Sequence, residues 1–262
     1  MDSKKQLMIN DSSDATPGFG LEVCANSFSS ALAAQEGGAI RVEFCENMAE
    51  GGTTPSYGQI KLAKERLEIE VWPIIRPRGG DFLYSDDEFQ IMKLDIEFCK
   101  SLGCDGIVIG MLTSNGEIDR ERCAKLVELA KPLPVAFHRA FDMCNDLSVG
   151  LEQLIELGIV RILTSGGAEN AFKGAPLISA LIKQAANRIE IMPGAGINPQ
   201  NIQEIRNITG ARVFHSSARA KVESKMKFRN QLSKMGNIED EYQYEQTSAT
   251  IVKELVNSLN TI

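Results

Sequence analysis

The feature that most constrains the fold is an eightfold alternation of short apolar runs with helix-like segments. The runs are rich in β-branched residues and begin at positions 21, 41, 71, 106, 134, 161, 190 and 212. Successive starts lie 20 to 35 residues apart, which is the length of one strand–helix unit. Alternating strands and helices predict a parallel sheet covered by helices. Eight such units in 262 residues predict an α/β fold of the (β/α)8 TIM-barrel type.

An open, doubly wound sheet is the alternative that shares this alternation. Its dinucleotide-binding form would carry a glycine-rich turn after the first strand. That turn reads CANSFSS in this chain, which favours the barrel. The segments between the runs have helical spacing; in 86–102, for example, Phe89, Met92, Ile96 and Cys99 fall on one stripe.

We predict one domain with an extension at each end. Residues 1–20 have the composition of a flexible polar arm without the features of a secretory signal. Residues 21–230 hold the barrel, and residues 231–262 form a C-terminal extension with a final amphipathic helix. That helix either closes the ring of helices or makes a subunit contact. Its apolar face leads us to expect a homo-oligomer, either a dimer or a tetramer.

Charge and cysteine content restrict the partners and the compartment. Lys and Arg number 28 against 35 Asp and Glu, which gives a net charge of −7. This balance argues against a nucleic-acid partner and against an anionic membrane surface. No apolar run approaches the roughly 18–20 residues that span a bilayer. The six cysteines, most of them in predicted strands and helices, indicate reduced thiols and a cytoplasmic protein, with the nucleus as a second compartment.

The first two predicted strands carry the same E-x-C spacing, Glu22-Val-Cys24 and Glu43-Phe-Cys45. Side chains two positions apart on a strand face the same side, so inward glutamates imply inward cysteines. Neighbouring parallel strands lie about 4.8 Å apart. The two thiols are therefore expected to approach each other at one rim of the barrel.

Other polar residues gather at the predicted carboxyl ends of the strands, where TIM barrels place their functional groups. If the protein is an enzyme, acid, base and anion-binding roles fall to Glu22, Glu43, Arg76, His138, Asp142 and His215. Residues that could cradle an anion, with backbone N–H groups at glycine-rich turns, are Arg78, Ser165, Gly166, Gly194 and Gly196. Purely structural roles stay open: the histidines could be hydrogen-bonded core residues, and the arginines could pair with the glutamates.

The same residues lie in motifs that resemble the CutC family of copper-homeostasis proteins. The most specific are IRPRGGDF (75–82) and FHRAFD (137–142), and the matching segments together span residues 19–230. The sequences TTPS (53–56) and FLYSD (82–86) resemble those of the animal members more than those of the bacterial ones. PGAG (193–196) stands where the family usually has PGGG, which adds one methyl group at a turn.

The resemblance implies a TIM barrel, a cytosolic setting, oligomers and Cu(I) binding by Cys24 and Cys45. Soft thiolates favour Cu(I), and neither cysteine has the spacing of a structural zinc site. Two functions follow as hypotheses. The first is a Cu(I)-binding protein that buffers or moves copper, and the second is an enzyme that acts on a small phosphorylated or carboxylated metabolite. The two do not exclude each other.

Overall fold

Parallel strands alternate with α-helices along most of the chain. The computed structural model describes residues 18–230, 232–233, 235 and 240–261, so residues 1–17 of the predicted arm lie outside the described part. The parallel strands are β1 (Gly20–Ala25), β2 (Arg41–Phe44), β3 (Glu70–Pro73), β4 (Ile107–Ile109), β5 (Val135–Phe137), β6 (Arg161–Thr164), β7 (Glu190–Pro193) and β8 (Val213–Ser216). The helices are α1 (Phe28–Glu36), α2 (Tyr57–Arg66), α3 (Asp86–Ser101), α4 (Arg120–Ala130), α5 (Leu147–Glu156), α6 (Ala171–Ala185), α7 (Ile202–Thr209) and α8 (Ala249–Asn260).

The eight strands close into a barrel. Two parallel ladders run in the orders β3-β2-β1-β8 and β4-β5-β6-β7. Ile74 bridges to Val108 between β3 and β4, and the Ile75 N–H donates to the Val108 carbonyl at 2.8 Å. At the other junction β7 lies beside β8, and the Ser216 hydroxyl donates to the Ile197 carbonyl at 2.8 Å. The predicted TIM barrel is confirmed.

Alternation along the strands divides the buried residues into two groups. Outward side chains such as Val23, Val42 and Phe44 pack against the helices in the larger core. Inward side chains fill the barrel itself, where a smaller apolar cluster forms around Trp72. The apolar residues of this inner cluster are Cys24, Cys45, Trp72, Ile74, Val108 and Ala136. Both cysteines predicted to face inward therefore do so.

The final helix completes the outer ring. α8 packs against α1 and α7 and buries Val252, Leu255 and Leu259. Gly37, at the end of α1, makes this close packing possible, because a Cβ atom there would stand 2.4 Å from the Val252 side chain. Among the described helices, none is both long and apolar enough to cross a bilayer.

The structure differs from the predicted strands in two places. The run 134–140 ends as a strand at Phe137, because the His138 side chain accepts the Ala140 N–H and begins a short 3-10 helix. After β8 the chain also forms an antiparallel hairpin, β9 (Arg219–Glu223) with β10 (Gln243–Thr247), that the sequence analysis did not predict. Its residues are mostly polar, so the apolar signal of a strand is missing. β10 belongs to the predicted C-terminal extension, yet it pairs with β9 next to the barrel.

Candidate metal centre

A buried ionic cluster, formed by Glu22, Arg41 and Arg161, occupies the inside of the barrel. The Glu22 carboxylate accepts from Arg41 Nε at 2.5 Å and lies 4.0 Å from Arg161 Nη1. The Trp72 ring lies near both guanidinium groups, at 5.3 Å from Arg41 and 4.8 Å from Arg161. Charges in a barrel core are tolerated when they are paired, and cation–π contacts add to the pairing.

Glu22 also binds the imidazole of His215 on the neighbouring strand. Its second oxygen lies 2.9 Å from His215 Nδ1. Burial acts to raise the pKa of Glu22, but the His215 hydrogen bond and the Arg41 and Arg161 charges outweigh it and bring the pKa to about 2. Glu22 is therefore ionised at neutral pH and fixes the position of three cationic side chains.

A sulfur cluster, formed by Cys24, Cys45 and Met48, lies next to the ionic cluster. Cys24 follows Glu22 by two residues on β1, so its side chain stands about 7 Å further towards the carboxyl ends of the strands. The Cys24 and Cys45 Sγ atoms are 3.5 Å apart. Met48 Sδ lies 3.5 Å from Cys24 Sγ and 3.2 Å from Cys45 Sγ. Three soft donor atoms thus share one site.

The loop after β2 holds Met48 over the two thiols. Asn47 takes a left-handed conformation with φ of 52°, which turns the chain back into a short 3-10 helix from Met48 to Glu50. Arg76, which lies three residues after β3, holds this loop in place, because its Nη1 donates to the Glu50 and Gly52 carbonyls, both at 2.7 Å. Arg76, predicted as an anion-binding or catalytic group, therefore uses these donors to position the loop that carries Met48.

Glu43 and His215 stand beside the sulfur cluster. Their ligand atoms and the Cys24 Sγ all lie within 4.8 Å of one another. Burial acts to lower the pKa of His215, but the Glu43 charge and the hydrogen bonds to Cys24 and Glu22 raise it well above its usual value. Burial raises the pKa of Glu43, and the nearby Glu22 charge adds to this while the His215 charge opposes it.

The protonation states of the Cys24 thiol and the His215 imidazole determine whether either group can bind a metal ion. The hydrogen bond with Cys45, burial and the Glu43 charge raise the pKa of Cys24 well above its usual value. At neutral pH the Cys24 thiol therefore carries its proton, and a metal ion would have to displace it. The pKa of His215 is raised too, so a metal ion that bound its imidazole would also have to displace a proton.

A cavity of about 580 Å³ opens at this end of the barrel. Cys24, Met48, Glu43 and His215 line it, whereas Cys45 is fully buried behind them. His138 borders the cavity too: its Nδ1 accepts the Ala140 N–H, so its Nε2 carries the hydrogen. Burial and the Arg76 charge lower the pKa of His138 to about 3, which keeps this imidazole neutral.

The Asp142 carboxylate holds the loop after β6. It accepts from the Ser165 and Gly167 N–H groups at 3.0 Å and from the Thr164 hydroxyl at 2.5 Å. Arg139 Nε donates to it at 2.8 Å. Asp142 lines the cavity, but these donors already engage both of its oxygens. The structure thus gives it a positioning contact with Ser165, one of the residues predicted to cradle an anion.

The remaining predicted anion-binding residues do not converge on one point. Arg78 binds Glu88 and Asp81, which places its guanidinium in the loop before α3, outside the cavity lining. Gly166 packs against α6, and Gly194 packs against the Leu163 side chain. Of this set, only Gly196 therefore lines the cavity.

The profile of the CutC family matches residues 19–220 of the chain. The chain belongs to the CutC family. It is 49% identical to a mouse copper homeostasis protein cutC homolog over 96% of this chain and 94% of the mouse protein. It is likewise 49% identical to the human homolog, over 89% of this chain and 85% of the human one. A CutC family protein of Parabacteroides distasonis is 53% identical, over 89% and 97% of the two chains, so animal and bacterial members are about equally similar.

Solved structures agree with this assignment. A crystal structure described as a putative copper homeostasis protein CutC from Streptococcus agalactiae superposes with a TM-score of 0.73 at 41% identity, over 76% of this chain and 98% of that chain. Phosphoribosylanthranilate isomerase from Thermotoga maritima superposes with a TM-score of 0.55 at 13% identity, over 93% of this chain and 100% of that chain. The second similarity shows the barrel fold alone.

Three side chains of the ionic and sulfur clusters were missed by the sequence analysis. Arg41 and Arg161 are the first residues of their strands. Arg41 lies two positions before Glu43, so the alternation of side chains along β2 could have predicted that it points into the barrel. Met48 follows Cys45 with the spacing C-x-x-M. That spacing is a weak signal, because the backbone turn at Asn47 decides where the thioether lies.

Proposed function

We propose that the protein binds one Cu(I) ion through Cys24 and Cys45 and serves in copper buffering or trafficking. One observation carries this proposal: two buried thiols stand 3.5 Å apart beside a cavity at the mouth of the barrel. Thiolates are soft ligands and two of them suffice for a low-coordinate Cu(I) site. Membership of a copper-homeostasis family supports the same ligand.

The unpaired cysteines support a cytoplasmic setting for the protein. The six cysteines are free, including the close pair at the mouth. Free cysteines are typical of compartments where glutathione and thioredoxin keep thiols reduced. Fractionation of cells that produce the protein would test the predicted cytoplasmic and nuclear pools, and light scattering would distinguish a dimer or tetramer from a monomer.

An anaerobic Cu(I) titration tests the ligand assignment. Wild type, Cys24→Ser/Cys45→Ser and Cys144→Ser compete with a chromophoric Cu(I) chelator, and circular dichroism verifies that each is folded. Cys144 is the matched control, because it is a free, partly buried cysteine that does not line the cavity. We expect one Cu(I) per chain for wild type and for Cys144→Ser, and loss of that site in the double variant. If the double variant binds copper as tightly as wild type, the proposal is wrong.

A small oxyanion is the second ligand that the cavity supports. Among the described side chains, His138 Nε2 and Arg76 Nε are buried donors without a hydrogen-bond partner, and both residues border the cavity. Unpaired buried donors are unfavourable, so a carboxylate or phosphate that reached them would be stabilised. An enzyme acting on a small anionic metabolite would use this chemistry. Calorimetric titration with inorganic phosphate and a panel of small carboxylates tests it; heat that His138→Phe abolishes supports it, and no heat with any anion counts against it.

A further inference from the structure

The sulfur cluster contains a third donor atom that the two-cysteine proposal does not use. The three sulfur atoms form a nearly equilateral triangle with edges of 3.5, 3.5 and 3.2 Å between Cys24, Cys45 and Met48. Cys24 and Met48 line the cavity, so the triangle is reached from the mouth of the barrel. A thioether at equal reach of two thiols is the arrangement that one soft cation needs.

Met48 packs against the inner apolar cluster, as a flexible methionine that fills a gap would. Packing alone, however, does not require its sulfur atom to face both thiols. Met48 lies partly exposed on a three-residue helix, in a loop that turns through the left-handed Asn47. Two Arg76 hydrogen bonds to the Glu50 and Gly52 carbonyls then hold that loop against the barrel. The loop is thus built to keep the thioether over the thiols.

The size of the triangle suits one metal ion. Thiolate–metal bonds of about 2.3 Å, the length found for zinc, put three sulfurs of a planar site about 4.0 Å apart. The observed edges of 3.2 to 3.5 Å are therefore short by less than one ångström. Movement of the loop can lengthen the two edges that include Met48, whereas the Cys24–Cys45 edge depends on β1 and on the residue after β2. A thioether is neutral and releases no proton on binding, whereas each thiol must lose one.

We propose that Met48 is a third sulfur ligand and that the protein holds Cu(I) in a three-sulfur site. This inference rests on the proposed function, because it requires Cu(I) at Cys24 and Cys45. The thioether contributes to Cu(I) binding in particular: thioethers are soft ligands that select Cu(I), whereas Zn(II) sites use thiolate, imidazole and carboxylate ligands, which Cys24, His215 and Glu43 also offer here. Removing the thioether weakens Cu(I) binding and leaves Zn(II) binding unchanged.

Met48→Leu tests the third ligand, since leucine keeps the volume and removes the sulfur. Met143→Leu is the matched control, because Met143 lines the same cavity but lies outside the sulfur cluster. Chelator competition measures the Cu(I) and Zn(II) affinities of both variants, and copper K-edge X-ray absorption counts the sulfur atoms around the metal. Thermal unfolding verifies that the variants are folded.

We expect Met48→Leu to bind one Cu(I) per chain about tenfold more weakly, with two sulfur scatterers in place of three. Met143→Leu should match wild type in both measurements. Wild-type Cu(I) affinity and three sulfur scatterers in Met48→Leu would overturn the role of Met48 while the two-cysteine proposal stands. Unchanged binding in Cys24→Ser/Cys45→Ser would overturn both.

Discussion

Glu22→Gln tests how much the ionic cluster contributes to the barrel. The amide keeps the shape of the carboxylate, but it leaves Arg41, Arg161 and His215 without their shared anion. The pKa of Glu22 is about 2, against an ordinary value of 4.5. Each pKa unit corresponds to about 1.4 kcal/mol, so the carboxylate contributes about 3 kcal/mol at pH 7. We expect the substitution to lower the free energy of unfolding by that amount, because the remaining buried cations lose their partner.

This loss of stability has a defined pH dependence. A carboxyl whose pKa is lower in the folded state stabilises the protein above its unfolded pKa of 4.5, and this contribution disappears as the pH falls towards 2. At pH 3.5 the difference between wild type and Glu22→Gln should therefore shrink to about 2 kcal/mol. Urea unfolding followed by circular dichroism at the two pH values measures both differences.

Glu70→Gln is the matched control for this experiment. Glu70 binds the same guanidinium, with its carboxylate 3.1 Å from Arg41 Nη1, but its side chain is 52% exposed. An ion pair that solvent screens to this degree contributes less than about 1 kcal/mol. A loss of under 1 kcal/mol for Glu22→Gln, or a loss of equal size at both pH values, would refute the reasoning.

Three further substitutions test how the loops and helices around the site are held. Asp142→Asn should lower the free energy of unfolding by about 1–3 kcal/mol, because the amide cannot accept all the donors from Thr164 and Ser165; an unchanged urea midpoint would contradict this. Ala195→Gly should raise stability by about 1 kcal/mol, since Ala195 has a φ of 77° that favours glycine; calorimetry measures the rise in Tm, and a fall would show that the turn needs the methyl group. Ser85→Ala removes the capping box of α3 and should lower the free energy of unfolding by about 1 kcal/mol. Hydrogen exchange should show faster exchange of the backbone amides in the first turn of α3.

The sequence was sufficient to predict the barrel because its signal is repeated. Eight apolar runs, each followed by a helical stretch, leave few alternatives to a closed parallel sheet. The hairpin of β9 and β10 escaped prediction because residues such as Lys221 and Glu245 give it a polar, exposed character. The connection between its two strands is also much longer than a typical hairpin turn, so no turn motif marks the pairing.

The candidate site was predictable where it depends on strand periodicity and unpredictable where it depends on a loop. The two E-x-C segments placed Cys24 and Cys45 on one face, because side chains on a strand alternate with a period of two. Met48 reaches the same point through the backbone turn at Asn47 and the contacts of Arg76, which no periodic pattern encodes. Of the polar residues predicted at strand ends, Glu43, His138 and His215 line the cavity, whereas Glu22 lies in the ionic cluster and Asp142 holds a loop.

The two clusters in the barrel constrain how a metal site there could adjust. Below the thiols, the ionic cluster and the Trp72 ring fill the interior, and Glu22 binds partners on three other strands. Cys24 therefore has little room to move inwards. The loop that carries Met48 lies on the open side, where hydrogen bonds from Arg76 tie it to the segment after β3. If Cu(I) binds as proposed, Met48 is the sulfur ligand with room to move, so we expect Arg76 and Asn47 to influence the affinity for copper together with the sulfur atoms themselves.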